Sequence, residues 1–249
     1  MYLVEWTYEP ADYFEVPVEF ACGDFTVSAK DGRLKSEIPD DFYPTDHSLR
    51  SVLHHDVHCR FLAAQVMNEK PYVLSNPSVA RHRLDDGVDA FMFAQTSGVG
   101  AVFGRADFIQ KDAEGNIVRD TRADRIGARN EFAQLVGQFS DDPVLIAMLR
   151  CYSAAMNDSK NELIHLYEIR ESLATLFGGE TQARKTLDFE RAPWSTLGRL
   201  ANDEPLNQGR HRGKHNGELR DATSAELSQA RSIARDLILS YARTLSSTA

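Results

Sequence analysis

Within six residues of one another stand Arg210, His211, Arg212, Lys214 and His215, and Gly209, Gly213 and Gly217 punctuate the run. Arginine offers a planar fork that matches phosphate oxygens. Imidazole titrates near neutrality and can give or take a proton. Together they suffice for phosphodiester cleavage without a metal. The cation would stabilise charge on a phosphorane, and the acid or base would serve a 2′-hydroxyl or a leaving 5′-oxygen. The glycines are poor helix formers, so the segment reads as a loop or broken turn, the kind of element on which a rigid scaffold presents chemistry. The same residues also fit a solvated basic loop, an anion site, a partner patch, or half a metal site built from His211 and His215.

A second cluster, His54-His55-Asp56-Val57-His58-Cys59, sets His54 and His58 four residues apart, a spacing that lets two imidazoles share a metal. No third ligand stands at a motif spacing. These histidines are therefore expected to face solvent, and no metal and no cofactor is assigned. Asp56 and Arg60, also four apart, are expected to form a structural ion pair.

The elements that must carry these residues change character along the chain. Apolar-polar alternation over Tyr13 to Ile38 predicts strands, joined by a hairpin at Asp31-Gly32. Val79 to Arg83, Val88 to Ala94 and Gly100 to Gln110 are further strand candidates, with Glu114-Gly115-Asn116 turning back to Ile117-Val118. One helix, roughly His47 to Asn68, carries Leu49, Val52, Leu53, Ala63, Ala64 and Met67 on its apolar side. From Thr121 the period becomes 3.6. Asp142-Pro143 caps a helix through Tyr152, and Ser159 to Glu162 reads as a capping box opening the next, which Gly178-Gly179 closes. Thr223 to Glu226 opens the last helix in the same way. The fold class is α+β: a β-rich domain with one helix over residues 1–120, then an all-α bundle over 121–249.

The composition narrows the function. The 249 residues hold 28 Lys+Arg against 37 Asp+Glu, a net charge of −9, so a broad nucleic-acid-binding face is excluded and any phosphate site must be a local basic pocket. Three cysteines, far apart, give no disulfide framework and point to a reducing interior. With no apolar run of membrane-spanning length and an acidic N-terminus, the expectation is a cytoplasmic protein that does not enter a membrane.

Arg210-x4-His215, with the polar His211 directly after the arginine, resembles the Arg-[Asn/Asp/His]-x(3–5)-His signature of the HEPN superfamily (higher eukaryotes and prokaryotes nucleotide-binding). The context is similar too: the motif follows a helical stretch and leads into a long amphipathic C-terminal helix. The helix from Asn161 to Phe177 resembles the family's bundle helix with an inward polar residue, assigned to Glu168. The resemblance covers roughly residues 125 to 249 and implies a metal-independent endoribonuclease acting as a homodimer, often in toxin–antitoxin or antiviral defence, where an inhibitory partner protein can hold it in check. It implies Arg210 on the scissile phosphate, His215 as the proton-transfer residue and His211 positioning both. Arg212 and Lys214 have no family position and would attract RNA phosphates. In a regular helix five positions separate Arg210 from His215 by about 140°, so either Gly213 breaks the helix or a partner's copy completes the site. The alternative function is a non-catalytic module that dimerises or binds nucleotide or a partner.

Overall fold

The computed structural model describes residues 2–40, 48–82, 88–90, 107–214, 217 and 219–248. These form two compact units. One comprises residues 1–61 and 72–137, the other 62–71 and 138–249. Strands do give way to helices at residue 120, as the change of period predicts. The first helix after that point nevertheless belongs with the strands, so the compact units do not divide at 120.

In the first unit an antiparallel sheet is built from β1 (Tyr2–Glu9), β2 (Val18–Cys22), β3 (Phe25–Lys30), β4 (Arg33–Ile38), β5 (Val73–Leu74), β6 (Ser78–His82) and β7 (Val88–Ala90), in the order β2-β3-β4-β1-β6-β7 with β5 on the end of β1. The expected hairpin joins β3 to β4. Asp31 and Gly32 take φ of 48° and 78°, the left-handed pair that a two-residue turn between twisted strands requires. Every second residue of β2 and β4 is buried, leaving Val18, Phe20, Cys22, Leu34, Ser36 and Ile38 on one face. The sequence reading starts its strands at Tyr13 and so omits β1, the central strand, whose Val4, Trp6 and Tyr8 carry the same alternation. Of the strand candidates over Val88–Ala94 and Gly100–Gln110, residues 91–106 lie outside the described residues. Ile109–Lys111 (β8) pairs with Ile117–Asp120 (β9) around the expected turn.

Helix α1 (Ser48–Asn68) is buried without interruption from Cys59 to Val66. Val52, placed on its apolar side by the sequence, is exposed, while the expected Leu53 is buried together with Val57 and Phe61. Asp56 and Arg60 do pair, at 3.2 Å, with both buried. The Arg60 guanidinium also donates to Ala21 O on β2 and, at 3.2 and 3.1 Å, to Ala133 O and Gln134 Oε1 on α2 (Thr121–Gln138). It lies against Gly137, where a Cβ would run into it. Glu15 ties the start of α2 through Arg122 and Arg125, and the two guanidiniums, Arg125 first, hold its carboxyl at about 2 against an ordinary 4.5.

The second unit packs α3 (Pro143–Asn157), α4 (Glu162–Leu176), α5 (Glu180–Thr186), α6 (Arg191–Asn202) and α7 (Ser224–Thr248) around α4, which meets α3, α5, α6 and α7. The Asp142 cap forms: its carboxylate accepts from Leu145 N at 2.7 Å, with Pro143 in the first turn. The Thr223 to Glu226 box also forms reciprocally, Thr223 N to Glu226 Oε2 at 2.8 Å and Glu226 N to Thr223 Oγ1 at 3.2 Å. The Ser159 to Glu162 box does not. Glu162 turns inward, 1 % exposed, and takes Arg231 of α7 in a two-pronged pair at 2.6 and 2.9 Å. A buried charge-assisted pair outweighs one capping bond. Among the described residues no helix is long and apolar enough to cross a membrane.

Arg60→Met is expected to lower the unfolding free energy by about 3–5 kcal/mol in urea titrations, because it strands a buried carboxylate and three further acceptors. Glu15→Gln tests the acid side. The depressed carboxyl stabilises the fold above about pH 4.5 and loses that contribution as pH falls to about 2. The stability gap between parent and variant should therefore close over that range.

Candidate functional site

The loop between α6 and α7 is fastened at its base. Asn207 N donates to Arg220 O and Arg220 N to Pro205 O, both at 2.9 Å, bridging Leu206 and Arg220. The side chains repeat the clamp, with Asn207 Nδ2 on Asp221 Oδ1 at 2.8 Å and Ala222 N on Gln208 Oε1 at 2.9 Å. Gly209 suits the place where the chain turns back onto the end of α6, because a Cβ there would stand a tight 3.0 Å from Ala201 O. Arg210 N then donates to that same carbonyl at 2.7 Å. The motif arginine is thus held at both backbone and side chain.

Its guanidinium carbon lies 4.6 Å from the Tyr167 ring centroid, and Nη1 meets Glu171 Oε1 at 2.9 Å. Tyr167 and Glu171 are one turn apart on α4 and present one face to the loop. Glu168 is not the inward polar residue that the family resemblance implies. Glu168 is exposed and accepts from Cys151 Sγ at 3.5 Å, since one residue along a helix turns a side chain by about 100°. The carboxylate that reaches the motif is Glu171, three residues on. A tyrosine and a glutamate spaced i,i+4 ahead of a basic loop are the sequence signal that could have named them.

Arg170 also lies 5.1 Å from the Tyr167 centroid and 5.2 Å from that of Trp194, and pairs with Glu180 at 3.1 Å. Gly198 leaves it room, as a Cβ there would come within 2.8 Å of Nη1. Tyr167 therefore has guanidiniums from α4 and from the loop against its ring.

The remaining loop residues divide. His211 is half-buried and has no regular structure. Arg212 opens a 3₁₀ turn, Arg212–Lys214, so the segment is not a regular α-helix. It was expected to attract RNA phosphates, but its Nη2 is committed to Lys160 O at 2.9 Å and Asn161 Oδ1 at 2.7 Å. It locks the loop to the start of α4. His215, the proton-transfer candidate, lies outside the described residues, as does the side chain of Lys214.

The histidine cluster on α1 is not solvent-facing as expected. His54 Nδ1 accepts from Trp6 Nε1 at 3.1 Å, and both His54 and His58 are half-buried. Their rings are parallel with centroids 6.2 Å apart, and His58 meets Tyr72 edge-on. Burial first, and then His55, lowers the His54 pKa below its usual value. An Nδ1 that accepts from Trp6 carries no proton, so this cluster acts as a docking contact of α1 on β1. Among the described residues no group of three or more His, Cys, Asp or Glu is gathered to hold a metal ion.

Gly209→Ala is expected to lower stability by about 1–3 kcal/mol, the usual cost of forcing extra atoms into a filled site. Chemical denaturation checks the stability, and arginine side-chain NMR should show Arg210 leaving the Tyr167 ring. Compared with family models, with curated proteins and with solved structures, the chain finds no match in any of the three, so its functional reading rests on its own residues.

Proposed function

We propose that the helical unit is a HEPN-like, metal-independent endoribonuclease that cleaves RNA to 2′,3′-cyclic phosphate ends and acts as a homodimer. The observation that carries this reading is the seating of Arg210. It is a loop cation on the buried Tyr167 platform, 31 % exposed at its side chain, with the Glu171 carboxylate of α4 holding one corner. Glu171 engages Nη1 of a group with five N–H donors, so the fork keeps donors to offer a phosphate. A charge that is already placed stabilises a phosphorane without reorganising during the reaction. His215 would carry the proton transfer, and His211, beside the arginine, would position the pair.

A second reading is favoured by a different observation. Arg212 spends its guanidinium on the start of α4 and Arg210 part of its own on Glu171, so the basic loop is partly a fold device. On that ground the unit would be a non-catalytic module that dimerises or binds nucleotide or a partner.

Incubating the protein with RNA in excess EDTA separates the two. The nuclease reading expects products ending in 2′,3′-cyclic phosphate. His215→Ala should then cut the rate by about 10²–10⁴, the usual worth of a positioned acid or base. Arg210→Lys should also fail, since it keeps the charge but loses the planar fork. Cleavage that needs added divalent metal, or that survives both substitutions, would sink the nuclease reading and leave the module.

A further inference from the structure

Three arginines recur along one face of α2: Arg122, Arg125 and Arg129, spaced by three and four residues. The first two have carboxylates. Glu15 takes both, and Asp107 takes Arg125 at 2.7 Å. The third has none among the described residues, although it is 1 % exposed. Its Nε and Nη2 reach only Asn130 Oδ1, on the adjoining residue, at 3.2 and 3.0 Å, and Nη1 has no acceptor.

Aromatic rings take the place of a counter-charge. The guanidinium carbon stands 5.0 Å from the Phe14 centroid. Phe14 in turn packs edge-on against Tyr8, Tyr13 and Phe61, with centroids 5.6, 5.1 and 5.0 Å away. The Tyr8 hydroxyl is buried, with the Gly32 backbone N–H turned toward its oxygen, and its O–H has no acceptor among the described residues. A cation taken out of water without an anion is among the costliest groups a fold can bury. Burial indeed pulls the Arg129 pKa down, with Glu15 and the hydroxyls of Tyr13 and Tyr8 acting on it only through space.

A buried guanidinium edge and a buried phenol, both donors and both without an acceptor, have the chemistry of an oxyanion site. We propose that the sheet unit binds the phosphate or carboxylate group of a small ligand on Arg129 and the Tyr8 hydroxyl, within the aromatic cluster of Tyr8, Tyr13, Phe14 and Phe61. The oxyanion supplies the missing counter-charge, and the rings supply apolar contact to the rest of the ligand. Both donor atoms are closed to bulk water, so the site opens to load. This site is separate from the Arg210 loop and stands whether or not that loop cleaves RNA.

The test is a titration of the full-length protein with sodium phosphate, and separately with sodium acetate, at ionic strength held constant with sodium chloride. Tm is followed by tryptophan fluorescence. Ligand that binds only the folded state raises Tm with the logarithm of its concentration above Kd, so the parent should shift by several degrees with the preferred anion. Arg129→Met, which keeps the side-chain length without the charge, should lose the shift. Tyr8→Phe should weaken the apparent affinity several-fold, and Arg210→Ala should retain the parent's response. No rise in Tm with either anion over sodium chloride at equal ionic strength, or a parental shift in Arg129→Met, overturns the proposal. So does loss of the shift in Arg210→Ala, which would place the anion on the loop. Should Arg129→Met fail to fold, Tyr8→Phe decides: an unchanged titration overturns the site, and a weakened one upholds it.

Discussion

The Arg60 guanidinium is the constraint on which the sheet unit turns. It satisfies a carbonyl of β2, a carboxylate of its own helix, and a carbonyl and an amide of α2. Each acceptor is buried or partly buried, and each would cost free energy if left unpaired. Because one planar group serves all of them, α1 and α2 must stand at fixed positions against the sheet. The constraint reaches into composition: a Cβ at residue 137 would displace the guanidinium, and glycine there leaves it in place. The aromatic cluster of Tyr8, Tyr13, Phe14 and Phe61 fills the neighbouring core, and Tyr13 and Phe61 stack with an interplanar angle of 4°.

The helical unit uses the same device differently. Glu162 gives up the capping role that its place in the sequence suggests and pairs with Arg231, which fixes α4 against α7. Arg170 threads between two rings in the gap that Gly198 leaves, and Arg212 fastens the α6–α7 loop to the start of α4. In an acidic chain these arginines are structural connectors, chosen for a planar fork that can meet several acceptors at once. What distinguishes Arg210 is that its seat combines a ring, one carboxylate and partial exposure. What distinguishes Arg129 is that no carboxylate among the described residues pairs with it, Glu15 acting only through space.

Local chemistry made much of this legible in advance. Alternation at period two marked β2 to β4, and Asp31-Gly32 marked their turn, because only residues that tolerate positive φ close a tight hairpin. Asp142-Pro143 and Thr223 to Glu226 marked two helix starts, since those caps are satisfied within four residues. Spacing alone also identified the Asp56–Arg60 pair. Where the chain offered two local partners, the sequence could not arbitrate. Glu162 could cap or turn inward, and only the arrival of Arg231 from 69 residues away decides it. Glu168 was the one carboxylate assigned to face the loop. The helix phase relative to Tyr167 settles which carboxylate reaches Arg210.

The sequence by itself determined the α+β class, the change from strands to helices at residue 120, and the presence of a basic, glycine-punctuated loop ahead of the last helix. Those are consequences of periodicity and turn chemistry, which are properties of neighbouring residues. Only the tertiary structure decided that α2 belongs with the sheet, that His54 accepts from Trp6, and that Arg212 locks the loop while Arg210 rests on a tyrosine. It alone left Arg129 buried with no paired carboxylate among the described residues. These are matters of burial and long-range pairing. A buried charge takes whichever partner the fold brings within about 3 Å, and distance along the chain carries no record of that choice.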